Sequence, residues 1–159
     1  MAVIMNYRQL NTKPKFEPLA WRDARETGCY YYAINVKCDR FTLVGDILYG
    51  RCTKKTSDNV LLETLIEELT KIFNYEVRVG DIYDQAEKDE FKIYLEREVH
   101  TGYYHFFRQD KYGTWSEKFP GELPKIYLGF EKYVRKQQKI VNCNSTKGWC
   151  FILKRKMSY

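Results

Sequence analysis

After Phe73 the hydrophobic residues of this chain leave helical spacing and fall into short extended segments: YEVRV (75–79), FKIYLEREV (91–99), GYYHFFRQ (102–109), GTWSEKF (113–119), KIYLGF (125–130) and GWCFILKRK (148–156). A chain built this way has to bury one face of a sheet. In FKIYLEREV, Phe91, Ile93, Leu95 and Val99 alternate with Lys92, Tyr94, Glu96 and Glu98, the pattern of a half-buried antiparallel strand. Ahead of these segments, Leu61, Leu62, Leu65, Ile66, Leu69, Ile72 and Phe73 recur at helical spacing. That predicts a helix over 60–73 with Asp58 as N-cap and with Glu63, Glu67 and Glu68 facing solvent. Further upstream, TGCYYYAINV admits two readings: a short helix starting at Thr27 or Gly28, with Tyr31, Ala33 and Ile34 toward a core, or an aromatic strand. Helices followed by a meandering antiparallel sheet place the chain in the α+β class. The tetrapeptide VGDI occurs at 44–47 and again at 79–82, where Gly-Asp suits a turn feeding a strand, but it is too short to be a repeat.

Composition narrows the class further. With 159 residues and no linker or low-complexity tract, the expectation is one domain over 1–159. No apolar run approaches the ~20 residues of a membrane-spanning helix. The N-terminal segment lacks the pattern of a secretory signal, which predicts a cytoplasmic protein with no membrane partner. Action on a cell wall would then require a lysis or injection system. Cys29, Cys38, Cys52, Cys143 and Cys150 are odd in number and contain no C-x-x-C pair, and only His100 and His105 could join them. Neither a disulfide framework nor a metal site is expected, and no cofactor. The net charge of +6 is concentrated at the end, where residues 131–159 carry eight Lys or Arg against Glu131 alone. Such charge can meet phosphate or an acidic surface. Solvated charge on an edge strand is the preferred reading, because no nucleic-acid module signature accompanies it.

One stretch carries chemistry. In YYHFFRQDKYGTWSEKFPG (103–121), Asp110 suits the first position of a type I turn and Gly113 the left-handed position after it. If the hairpin closes as a three-residue loop, Asp110 faces Thr114 and Phe107 faces Glu117, which makes His105 and Glu117 diagonal neighbours on one face. An imidazole held by a carboxylate on one nitrogen presents the other as a base. The partner nucleophile would be a cysteine, and Cys29 alone follows a glycine at an expected helix start, where unpaired N–H groups and the helix dipole favour thiolate. The bland alternatives are a small buried cysteine and a packed strand histidine. Trp115, Asp110 and Arg108 read as core, turn former and ion-pairing strand residue, and His100 as a turn residue without a role.

GCYYYAIN together with YYHFFRQDKYGTWSEKFPG resembles the paired signatures of a group of small papain-like proteins: Cys-Tyr-x-Tyr-Ala-x-Asn, then His-aromatic-x-Arg-x-Asp, a Gly turn, Trp-Ser-His-Lys and Gly. The matching residues are Cys29, Tyr30, Tyr32, Ala33 and Asn35, then His105, Phe106, Arg108, Asp110, Gly113, Trp115, Ser116, Lys118 and Gly121. The match covers under a fifth of the chain. That group is similar in layout to the NlpC-type cysteine peptidases, so the resemblance implies a papain-like (NlpC-like) fold with N-terminal helices packed on an antiparallel sheet. It also implies Cys29 as nucleophile, His105 as base and position 117 as orienter. Glu117 stands where the pattern has histidine, and the Asp-Cys-Ser-Gly form of wall-degrading enzymes is absent around Cys29.

The expected function is therefore a cysteine hydrolase or acyl transferase of the peptidase/amidase kind, acting on an amide bond of a peptide, a host or partner protein, or a small molecule. N–H groups at the start of the Cys29 helix are the expected oxyanion donors. The rival expectation is an inactive papain-like binding module that engages a partner protein or nucleic acid through Lys139, Lys147, Lys154, Arg155 and Lys156. A third is nucleic-acid binding through fourteen tyrosines and the positive tail.

Overall fold

The computed structural model describes residues 6–48, 50–138 and 145–156. Strand β1 (Tyr7–Gln9) and a 3-10 segment (Pro18–Ala24) precede helix α1 (Cys29–Ala33) and strand β2 (Val36–Cys38), which pairs antiparallel with β1. Of the two readings of TGCYYYAINV the helix is the one observed. It ends after one turn and a half because Asn35 takes a left-handed conformation, φ 66°, which a short amide side chain tolerates. Helix α2 (Asp58–Glu67) follows and closes in a π turn over Glu68–Ile72, with Phe73 N–H donating to Glu68 O at 3.1 Å.

The N-cap of α2 is Ser57, whose hydroxyl accepts from Val60 N–H, and not Asp58. Asp58 begins the helix and pairs with Arg97 and Lys147. Nor does Glu68 face solvent. It is fully buried, accepting from the Tyr30 hydroxyl at 2.8 Å and from Ile47 N–H at 3.2 Å. Its spacing says why: position 68 lies three residues after Leu65 and seven after Leu61, on the apolar stripe itself.

Strands β3 (Tyr75–Gly80), β4 (Glu90–Glu98), β5 (Tyr104–Gln109), β6 (Trp115–Glu117), β7 (Lys125–Ile126) and β8 (Thr146–Arg155) form one antiparallel sheet in the order β3-β8-β4-β5-β6-β7. The molecule is thus α+β. It departs from a simple meander because β8 inserts between β3 and β4, which makes the basic C-terminal segment a central strand and not an edge. The second VGDI leaves strand β3 for a turn and does not feed a strand, and the first lies within turns. KIYLGF yields only the two residues of β7 before Gly129, at φ 71°, turns the chain into helix α3 (Phe130–Gln138). Composition hid that helix, since its exposed face is charged and only Phe130 and Val134 are deeply buried.

Helix α3 explains a second departure. Strand β4 is buried on both faces along Glu90–Leu95 and not on one. One face carries Phe91, Ile93, Leu95, Phe106 and Phe151 against α1 and α2; the other carries Tyr94, Phe107, Trp115 and Cys150 against α3. Alternation along β5 therefore sends Tyr104, Phe106 and Arg108 toward α1, and Phe107 toward α3. Among the described residues, no helix is long and apolar enough to cross a membrane.

Candidate active site

The hairpin that carries His105 closes as its sequence requires. Asp110 N–H donates to Thr114 O at 2.7 Å, Gly113 N–H donates to Asp110 O at 2.8 Å, and Gly113 takes φ 94°. Arg108 pairs with Ser116 and Gln109 with Trp115, so the next positions bring Phe107 and Glu117 together. His105 and Glu117 become neighbours: Nε2 lies 3.3 Å from Glu117 Oε1. The oxygen stands off the N–H direction, and Nε2 finds no aligned acceptor among the described residues, so the contact is an ion pair and not a well-formed hydrogen bond.

Cys29 arrives from the opposite layer. Gly28 is extended at φ −87°, ψ −172°, and turns the chain into α1, placing Cys29 at the first helical position. Thr27 anchors the approach: its hydroxyl donates to Cys38 O and accepts from Cys38 N–H, both at 2.8 Å. The fully buried Lys118 ties this approach to the hairpin, because its ammonium donates to Arg25 O at 2.6 Å and to Thr27 O at 2.5 Å. One lysine next to Glu117 thus holds the backbone two residues before Cys29. Burial depresses its pKa to about 8.

The imidazole reports what surrounds it. Burial is the largest influence on His105 and lowers its pKa, but the neighbouring Cys29 thiol and the Glu117 carboxylate together outweigh burial and raise it to about 9. The structure therefore gathers Cys29, His105 and Glu117 into one cluster. It adds a residue that sequence reasoning treated as a solvated strand position: Glu96 is directly paired with His105 across β4 and β5. Burial raises the Glu96 carboxyl, and the neighbouring Tyr133 of α3 works against that rise. The β4–β5 register was the missing signal, since alternation alone makes Glu96 polar without saying what it meets. Cys38, Cys52 and Cys150 are buried away from the imidazole, and burial pushes each thiol up, Cys150 to about 12. Cys143 lies outside the described residues.

The remaining motif residues form a buried frame. Arg108 donates to Asp110 Oδ1 at 3.0 Å, Tyr32 O at 3.1 Å, the Tyr32 hydroxyl at 2.8 Å and Lys15 O at 3.2 Å, and its guanidinium lies 3.8 Å from the Tyr32 ring centroid. The Tyr32 hydroxyl also meets Ser116 Oγ at 2.6 Å. Trp115 stacks on Phe130 at 4.3 Å, and His100 lies in the turn between β4 and β5.

Several cations of the expected binding surface have partners within the chain. Lys147 pairs with Asp58, Arg155 donates to Asn11 and Lys156 to Thr70 O. Lys154 sits across from Glu76 and Glu90, while Lys139 lies outside the described residues. Two open clefts, of 390 and 370 Å³, are lined by residues that include Lys92 and Asp110 in one and Asp23, Lys37 and Cys38 in the other; neither contains Cys29, His105 or Glu117. Among the described residues, no group of three or more His, Cys, Asp or Glu is arranged to hold a metal ion. Comparison with known proteins finds no match among family models, curated proteins or solved structures.

Proposed function

We propose that this protein is a papain-like (NlpC-like) cysteine hydrolase or acyl transferase acting on an amide bond. The observation that carries the reading is the convergence of Cys29, His105 and Glu117 from three elements, with Cys29 the one described cysteine beside an imidazole. In the proposed reaction the Cys29 thiolate, paired with the His105 imidazolium, attacks the carbonyl carbon. First-turn N–H groups of α1, which have no acceptor inside so short a helix, stabilise the oxyanion. His105 gives its proton to the nitrogen as the C–N bond breaks, the amine leaves, and Cys29 holds the acyl group as a thioester. Water, deprotonated by neutral His105, releases the acid and restores the thiol; an acceptor amine in place of water completes a transfer. Glu117 holds the imidazolium ring. With the imidazole pKa raised to about 9, His105 is protonated at neutral pH, as the first half of this cycle needs.

The test is the rate at which each thiol reacts with iodoacetamide across pH 5–10, read by mass spectrometry of the peptides. Cys29 is expected to react at least tenfold faster than Cys38, Cys52 and Cys150 at pH 7, and His105→Ala to remove that advantage. Equal rates for all the thiols in the native protein remove the reading. The alternative, a non-catalytic papain-like binding module, is favoured by one observation: Cys29 is only 8% exposed. It predicts association with a partner that persists in Cys29→Ala and weakens with salt.

A further inference from the structure

Two part-exposed aromatic rings flank Cys29 and His105, and the chemistry above uses neither. Phe119 lies parallel to the imidazole, with centroids 4.8 Å apart and 8° between the planes. Phe41 covers the other flank: a Cβ placed on Gly28 would stand 2.6 Å from Phe41 Cδ2 and 2.9 Å from Cε2, so the ring rests on the bare backbone of the residue before the nucleophile. Pro120 Cγ is 3.7 Å from the same point. Both rings keep much of their surface open, 40% for Phe41 and 37% for Phe119. Most of the other large aromatic side chains of the α1 region are buried in the core.

A carbonyl carbon under attack must come within ~3–3.5 Å of the sulfur. The side chain on the acyl side of that carbonyl begins two bonds further out, beyond the α-carbon, and from there it falls against whatever borders Gly28 and His105. Those borders are ring faces and a proline, which offer apolar surface and dispersion and accept no ordinary hydrogen bond. Gly28 matters because any larger residue would force Phe41 off the backbone. Resting on Cys29 as the nucleophile, we propose that Phe41, Phe119 and Pro120 form the acyl-side subsite. The substrate class is an amide whose carbonyl carries a bulky apolar or aromatic side chain. A hydrophobic subsite of this kind discriminates by about 10-fold or more for groups larger than a methylene.

The experiment compares two chloromethyl ketones that differ only in that side chain, N-acetyl-phenylalanyl and N-acetyl-glycyl, by their rates of thioether formation at Cys29, with chloride as the leaving group. Iodoacetamide reports the thiol itself. The expected result is a Phe/Gly rate ratio of at least ten in the native protein, falling to three or less in the Phe41→Ala/Phe119→Ala double variant. A native ratio near one, or a high ratio that survives in the folded double variant, overturns the subsite. Fast iodoacetamide labelling with a ratio near one removes the subsite and leaves the proposed chemistry standing, whereas a Cys29 that iodoacetamide does not favour removes both. Should the double variant fail to fold, the native ratio alone decides.

Discussion

An imidazole that keeps its proton to about pH 9 ties stability to pH in a defined direction. The folded-state value of His105 lies above the ordinary 6.5, so the folded chain binds the extra proton, and its stabilisation is complete below about pH 6.5 and is lost as pH rises through about 9. Lys118 works the other way. Its folded-state value is lowered from 10.5 to about 8, so burying its charge costs stability in full below about pH 8, and that cost is relieved as pH rises from about 8 toward 10.5. The window between about 6.5 and 8 therefore isolates His105. There, urea unfolding of the native protein is expected to show stability falling with pH by no more than ~1.4 kcal/mol per unit, and His105→Gln to flatten that slope. A native slope no different from that of the variant would mean that Cys29 and Glu117 do not hold the imidazolium. Glu96 belongs to the same account, because a second carboxylate paired with His105 adds to the preference for the charged ring.

Among the elements, α2 shows how far a charge can mislead. Its stripe of Leu61, Leu65 and Leu69 continues through Glu68, whose two oxygens receive the Tyr30 hydroxyl and the Ile47 N–H. The carboxylate links α2 to α1 and to the 44–48 turn at the back of the Cys29 helix, and the π turn that follows adjusts the helix end around it. Glu68→Ala leaves the buried Tyr30 hydroxyl and the part-buried Ile47 N–H without an acceptor, a loss of about 1–3 kcal/mol for the buried group and less for the other. Chemical denaturation is expected to register a loss in that range or above, with Glu68→Gln, which keeps an acceptor, losing much less. Equal losses in the two variants would assign the effect to packing volume and not to the hydrogen bonds.

For the molecule as a whole, the decisive feature is a sheet covered on both sides, with α1 and α2 on one face and α3 on the other. Arg108 is the bolt on the first face: from inside the core it reaches Lys15 in the N-terminal segment, Tyr32 in α1 and Asp110 in the hairpin. Arg108→Met leaves Asp110 as a buried, unpaired carboxylate and is expected to lower global stability by ~3–5 kcal/mol in urea unfolding, with partial recovery when Asp110→Asn removes the stranded charge. A loss below ~1 kcal/mol would show the network to be peripheral. Much of this was legible from local pattern. The helical spacing around Leu61–Phe73, the alternation of the later strands, and the Asp110–Gly113 turn each follow from preferences that act over a few residues, and the turn alone sets His105 beside Glu117. What the chain could not announce depends on contacts between distant segments. The insertion of β8 at the sheet centre, the helix at Phe130–Gln138 and the pairing of Glu96 with His105 are of this kind. So is the bond from Lys118 to the Thr27 carbonyl. Local sequence determined most of the elements, α3 excepted, and which way their side chains alternate, because backbone sterics and turn geometry are short-ranged; tertiary packing alone decided which faces became buried and which charges met, because burial and Coulomb forces act on whatever the fold brings near.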